Sequence, residues 1–187
     1  MRTVAGRVRF AMIGAAILIS AVLAHPTHAG SAAEIDRKAG EALQHLLASH
    51  EAAQTLAREA RAILVFPSIV KGGFMFGGQF GDGALRRGGR SVAYYRSIAA
   101  SYGLQAGLQT YGYALFLMNE KAVEYLDKSD GWELGVGPTL VVVDKGVAAS
   151  LTTTTARSDV YAFIFDQKGL MAGIGLQGTK ITRINPD

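Results

Sequence analysis

Between Ala32 and Ile63 the apolar positions Ile35, Ala39, Leu43, Leu46, Ala53, Leu56, Ala60 and Ile63 recur at steps of three, four or seven residues, set among strong helix formers. That spacing keeps them on one face, and it predicts an amphipathic helical part over about 32–63. Ser49 is placed to cap a second helix after a short break, with Glu51 in its first turn near the positive end of the helix dipole. A stripe of this kind packs on the domain's own core; a membrane or partner surface is the sharper alternative. Pro67 closes the helical part, because proline drives the residue before it towards extended backbone.

Beyond Pro67 the pattern changes to short apolar or aromatic runs between glycines: Gly73–Phe80, Ser91–Tyr95, Tyr102–Leu108, Tyr113–Leu117, Thr139–Val143, Val160–Phe165, Leu170–Leu176 and Lys180–Ile184. Most read as strands, giving a sheet part over about 64–185. Asp166-Gln167-Lys168-Gly169 reads as a hairpin connection, with Gly169 free to take a positive φ. One helix is expected at Asn119–Asp127, where Asn119 can cap and Ala122, Val123 and Leu126 share a face. The β-branched Thr152–Thr155 favours extended chain. These elements predict an α+β fold: N-terminal amphipathic helices packed on a curved, glycine-rich, mainly antiparallel sheet or partly closed barrel, with one short helix between strands.

The densest glycine stretch is KGGFMFGGQFGDGALRRGG, Lys71–Gly89, in which eight of nineteen residues are glycine. It lacks the G-x-x-x-x-G-K-[ST] pattern of a phosphate loop. Phe74, Phe76 and Phe80 stand at even intervals, so extended chain puts them on one side while the glycines permit bends and close backbone approach. That is a curved strand or hairpin, and it ends in the basic cluster Arg86, Arg87 and Arg90.

Charge and export signals narrow the setting. Met1–Arg9 holds Arg2, Arg7 and Arg9 and no acid, Phe10–Ala24 is almost wholly apolar, and Thr27 and Ala29 offer small residues at cleavage spacing. This reads as a signal peptide over 1–29, leaving one domain over 30–187 and a periplasmic or secreted product. The apolar run is shorter than the roughly 20 residues that a spanning helix needs. Of the 19 basic residues three lie in that leader, so the mature chain carries sixteen against 15 acids, and no nucleic-acid partner is implied. With no cysteine, a cysteine-anchored lipoprotein, disulfides and thiolate metal sites are excluded.

Candidate chemistry is sparse. Gly173-Ile174-Gly175-Leu176-Gln177-Gly178 spells G-x-G-x-x-G, but only nine residues follow, too few for the helix and distant acid of a dinucleotide site. His45 and His50 are five apart, about 140° around a helix, and do not share a metal. Asp82, Asp130, Asp144, Asp159 and Asp166 sit beside glycines or at presumed loop ends, where turn formation explains them. Trp132 reads as a core or interface anchor. No catalytic constellation, cofactor or metal follows, and the chain is expected not to be an enzyme. A small outer-membrane barrel is disfavoured by the helical first part.

The blocks ILVFPSIVKGGFMFGGQFGDGALRRGG, SYGLQAGLQ, GWELGVGP and VYAFIFDQKGLMAGIGLQGTKI, in this order, resemble the SYLF domain family. The resemblance implies a non-enzymatic lipid-binding module, related to eukaryotic members that bind phosphoinositides and actin. For an exported chain it implies a lipid- or membrane-surface-binding domain of the bacterial cell envelope, with actin an unlikely partner. The alternative is an envelope structural or self-assembling module with a protein partner. Lys71, Arg86, Arg87 and Arg90 are the candidate headgroup-binding residues, each basic side chain near an anionic surface adding about 1 kcal/mol. Arg37, Lys38, Arg58 and Arg61 mark the candidate membrane-facing helix.

Overall fold

The computed structural model describes residues 31–128, 131–152, 155–169, 176 and 178–187, with backbone alone for 74–76, 101–106 and 145. The expected leader over 1–29, Asp130, the expected strand at Leu170–Leu176 short of its last residue, and most of the G-x-G-x-x-G segment lie outside these residues. So do the side chains of Phe74 and Phe76.

Helix α1 (Ala32–Ser49) starts at Ser31, whose hydroxyl accepts a bond from the Glu34 amide. Helix α2 (Glu51–Glu59) follows after a break at His50, which is extended and gives no side-chain cap. The expected cap at Ser49 is therefore not made: Ser49 ends α1, and its hydroxyl donates back to the His45 carbonyl at 2.6 Å. Glu51 does occupy the first turn of α2. The helical part stops at Glu59, and Ile63–Phe66 is already strand, a run too short for its period to separate the two states.

Strands β1 (Ala62–Arg87) and β2 (Arg90–Leu117), 26 and 28 residues long, form one antiparallel hairpin where the sequence suggested separate short strands. Gly88 and Gly89, at φ 59° and 82°, make its two-residue turn, which requires positive φ at both positions. Pairing shifts between Phe66 and Ile69, around Pro67 and Ser68, and again between Phe74 and Phe76. Such bulges bend a ribbon and increase its twist. The result is a hairpin folded back on itself: a Cβ added at Gly81 would lie 2.4 Å from the Ser68 carbonyl, and one at Gly83 would lie 2.4 Å from that of Val65. The two halves of β1 thus meet backbone to backbone, and the sheet curls into a half-barrel.

The free edge of β2 is lined by β5 (Val160–Gly169) and β6 (Lys180–Ile184). Gln109 pairs with Gly169 and Ile98 with Lys180, so β5 and β6 keep one antiparallel register along β2. β3 (Trp132–Glu133) extends the sheet beyond β6, and β4 (Leu140–Val142) joins β5 in the one parallel pair among the described strands. Helix α3 (Glu120–Lys128) is capped by Asn119, whose side-chain carbonyl accepts from the Ala122 amide at 2.9 Å. A second short helix, α4 (Lys145–Ser150), capped by Asp144, was not expected.

Three other readings are corrected. Asp166–Gly169 is no hairpin connection; β5 runs through it, absorbing an irregularity with Asp166 at φ 51° and Gly169 at φ 114°. Thr152 and Thr155 close a turn after α4 through a 3.1 Å backbone bond instead of extending. Asp82 lies in no turn either: it is mid-strand and faces Arg96.

Alternation along the strands buries both faces, as a sheet between layers demands. One set, Leu64, Phe66, Ile69, Tyr95, Tyr111, Tyr113, Leu115 and Val160, points inward with Trp132 and α3. The other, Val65, Ala84, Ala114, Phe116, Tyr161, Phe163 and Phe165, receives Ile35, Ala39, Leu46, Ala53 and Leu56 of α1 and α2.

Candidate functional site

Which of the basic residues remain available follows from this packing. The stripe of α1 and α2 is buried on the sheet, so these helices present only their polar side to solvent. There Arg37 pairs with Glu41 and Lys38 with Glu34, each one turn apart, while Arg58 and Arg61 are exposed. The apolar insertion expected of a membrane-facing helix is therefore not what these residues do in the fold; their stripe is the outer core.

The hairpin tip is similarly engaged. Arg86 donates to Asp36 Oδ1 at 2.9 Å, to the Gly89 carbonyl at 2.7 Å and to Ser91 Oγ, and Ser91 also bonds Asp36. It clamps the tip to α1. Arg87 pairs with Glu120 at the start of α3. Arg90 is exposed and has no ion pair among the described residues. Lys71 lies far along β1 from these three, buried on the inner face and paired across the ladder with Gln109. The four residues do not form one cluster.

What the fold does bring together is on the outer face, beyond the end of α1. Directly paired residues of an antiparallel ladder share a face. Lys168, Thr110 and Val70 therefore form one row across β5, β2 and β1, and Lys180, Ile98 and Phe80 a second across β6, β2 and β1. Leu108, opposite Gly72, stands two residues along β2 from Thr110 on the same face. Their parity matches Ala84, Ala114 and Phe116 of the outer core, yet no helix covers them: Val70, Phe80 and Ile98 are each close to half exposed and Leu108 is 65% exposed. Val70 and Phe80 meet Glu34, Ile35 and Lys38 of α1 in a groove of about 220 Å³.

Charge frames this patch. The Arg96 guanidinium stacks over the Phe80 ring at 4.9 Å while Asp82 holds it by two bonds of 2.7 and 3.0 Å. Bonding to that carboxylate raises its pKa further, so it is a fixed cation. Of the acids nearby, Asp82 is matched by Arg96 and Glu34 by Lys38, Asp166 lies 3.7 Å from His45 Nδ1, and the exposed Glu133 stands opposite Lys180 across the β3–β6 ladder. Lys168 and Lys180 are exposed and have no ion pair among the described residues. The arrangement is an apolar strip with two ammonium groups at its rim, one of which, Lys180, has Glu133 opposite it in the ladder.

Sequence reasoning missed this strip. Val70, Ile98 and Leu108 look like core positions, because alternation says which residues share a face and not whether a helix reaches over them. Lys168 was hidden in a tetrad read as a turn. Among the described residues no group of three or more His, Asp or Glu side chains is placed to hold a metal, and no helix is long and apolar enough to cross a membrane.

Comparison with known proteins adds one finding. Residues 98–185, from Ile98 in the first third of β2 to just past β6, match the family described as Ysc84, Las17-binding protein actin regulator, in agreement with the SYLF resemblance. No curated protein matches the chain.

Proposed function

We propose that this chain, with a SYLF-family sequence over residues 98–185, is a non-enzymatic module that docks on anionic membrane surfaces through the outer face of its folded hairpin. The observation that carries this reading is the uncovered strip Val70, Phe80, Ile98 and Leu108, rimmed by Lys168 and Lys180, which make no ion pair among the described residues. Apolar side chains standing alone on a surface mean little, but four on one sheet face beside cations match a bilayer, with hydrocarbon below and phosphate at its edge. Two lysines close to anionic lipid add about 2 kcal/mol together, at about 1 kcal/mol each. With the leader over residues 1–29, the setting we propose is the cell envelope.

Vesicle flotation tests it. Wild type is expected to float with phosphatidylglycerol vesicles and to sink with neutral phosphatidylcholine ones. The Leu108→Ser and Lys168→Ala/Lys180→Ala variants are expected to lose flotation, and Arg90→Ala to keep it. Flotation unchanged in the first two would remove this face from the account. A stable oligomer that ignores both vesicles would favour the self-assembling envelope module instead.

A further inference from the structure

Opposite the strip, on the inner face at the same end of the hairpin, the core is polar where a closed barrel calls for apolar side chains. Lys71, Gln79, Gln109 and Thr179 are all at least nine-tenths buried there. Two come from the first half of the folded ribbon and its partner, namely Lys71 and Gln109, paired across β1 and β2. Gln79 comes from the second half of β1, and Thr179 immediately precedes β6. Tyr111, two residues from Gln109 on the same face, donates to Gln79 Oε1 at 2.8 Å, and Gln79 Nε2 donates to Thr179 Oγ1 at 3.0 Å. These bonds fix Gln79 and account for both ends of its amide.

Gln109 is not so treated. At 4% exposure its Oε1 has no hydrogen-bond donor. A buried acceptor left unmatched is destabilising, and native interiors rarely keep one without a water, a ligand or a role. Its ladder neighbours do not fill the gap: Gly169 on one side has no side chain, and Lys71 on the other does not donate to this oxygen. The position thus offers a desolvated carbonyl oxygen beside a cationic side chain, next to the hydrogen-bonded Gln79 amide and Tyr111 phenol.

We infer that this inner cluster is a binding site for a hydroxyl-bearing polar group, of the glycerol or sugar type, whose O–H donates to Gln109 Oε1. A lipid headgroup and a free polyol phosphate share that chemistry. The inference draws on the membrane reading only for the headgroup as a source, because the orphan acceptor stands on the opposite face from the strip.

The test uses the full domain, with glycerol 1-phosphate and glucose 1-phosphate as soluble probes and two kinds of vesicle of equal charge. Phosphatidylglycerol carries headgroup hydroxyls and phosphatidylmethanol does not. For wild type we expect either a raised melting temperature with a soluble probe, which marks a free polyol phosphate as ligand, or tighter binding to phosphatidylglycerol than to phosphatidylmethanol, which marks a lipid. Gln109→Leu, which removes the acceptor, is expected to melt higher than wild type without ligand and to weaken either response about tenfold. Gln79→Leu, which removes the neighbouring amide in the other half of the ribbon, gives the second variant should the first misfold. Lys168→Ala/Lys180→Ala is expected to lose flotation while keeping the soluble-probe response, so failure of the outer face and failure of this site are told apart. No response to any probe in wild type, or equal responses in wild type and both glutamine variants, would overturn the site and leave an ordered water as the partner of Gln109.

Discussion

Gly83→Ala is the sharpest test of the folded hairpin. A methyl group at Gly83 would stand 2.4 Å from the Val65 carbonyl oxygen and 2.6 Å from Phe66 Cδ1. Carbon does not approach oxygen so closely, and the obstacle is backbone held in a buried ladder, not the end of a side chain that can swing away. Overpacking a tight interior costs about 1–3 kcal/mol, and a contact with backbone belongs at the upper end. About 3 kcal/mol in a domain of this size lowers the melting temperature by roughly 6–12 °C. Gly78 is the internal control: it lies in the same strand, and its added Cβ would make ordinary contact at 3.5 Å with the Ala99 carbonyl. Gly78→Ala is expected to be neutral or to stabilise by about 0.4–1 kcal/mol, through the unfolded chain. Gly88→Ala meets nothing within 4 Å but holds φ 59°, so it is expected to cost about 1 kcal/mol. Urea titration followed by the fluorescence of the one tryptophan, buried Trp132, reads all three. Should Gly83→Ala fall within 0.5 kcal/mol of Gly78→Ala, about the scatter of uneventful substitutions, the apposition of the two halves of β1 is refuted.

Further expectations concern charge. Asp36→Ala leaves the mostly buried Arg86 without its carboxylate, and because Asp36 is half exposed the cost is set at about 1 kcal/mol in urea titration. Arg87→Ala breaks a pair that is about half exposed on both sides and is expected to cost less than about 0.5 kcal/mol. Asp159 is held below the usual carboxylate range by the Thr139 amide, then by Asn119 and the Thr139 hydroxyl. Its contribution is complete above the unfolded pKa near 3.8 and is lost as pH falls through the lower folded value; acid denaturation of Asp159→Asn is expected to lack this component. Burial pushes the Tyr111 phenol up to about 12 and raises Tyr113 too, so stability complete below pH 10 falls as pH rises beyond it. Tyr113→Phe should blunt that alkaline loss in a spectroscopic pH titration.

The general architecture was legible because the two periods are physical. Ile35, Ala39, Leu46, Ala53 and Leu56 were marked by helical spacing, and all five are buried on the sheet. The glycines of Lys71–Gly89 were assigned to bending and close approach, which Gly81 and Gly83 now carry. Strand length was not legible: glycine normally ends a strand, and only long-range contact with Ser68 and Val65 shows why it stays inside one here. The candidate site was read less well. Basic residues draw attention in a sequence, but Arg86 finds Asp36 fifty residues away and Arg87 finds Glu120, and neither pairing leaves a local signature. Conversely, Leu108 and Phe80 look like core until the end of α1 is located, and the missing donor to Gln109 depends on two other strands.

The way β2 is completed has a consequence for how the chain is made. Its partner on one side, β1, has been synthesised before it and joins it through a two-residue turn, but the other side waits for residues 160–184. During synthesis, a strand of 28 residues therefore exists for a time with one hydrogen-bonding edge open. Such an edge recruits any other strand within reach. Arrest of the chain before Val160 would leave an adhesive ribbon in place of a smaller stable domain. The order of the genetic message thus puts the most hazardous edge ahead of its cover, and residues 160–184 decide whether that edge stays open.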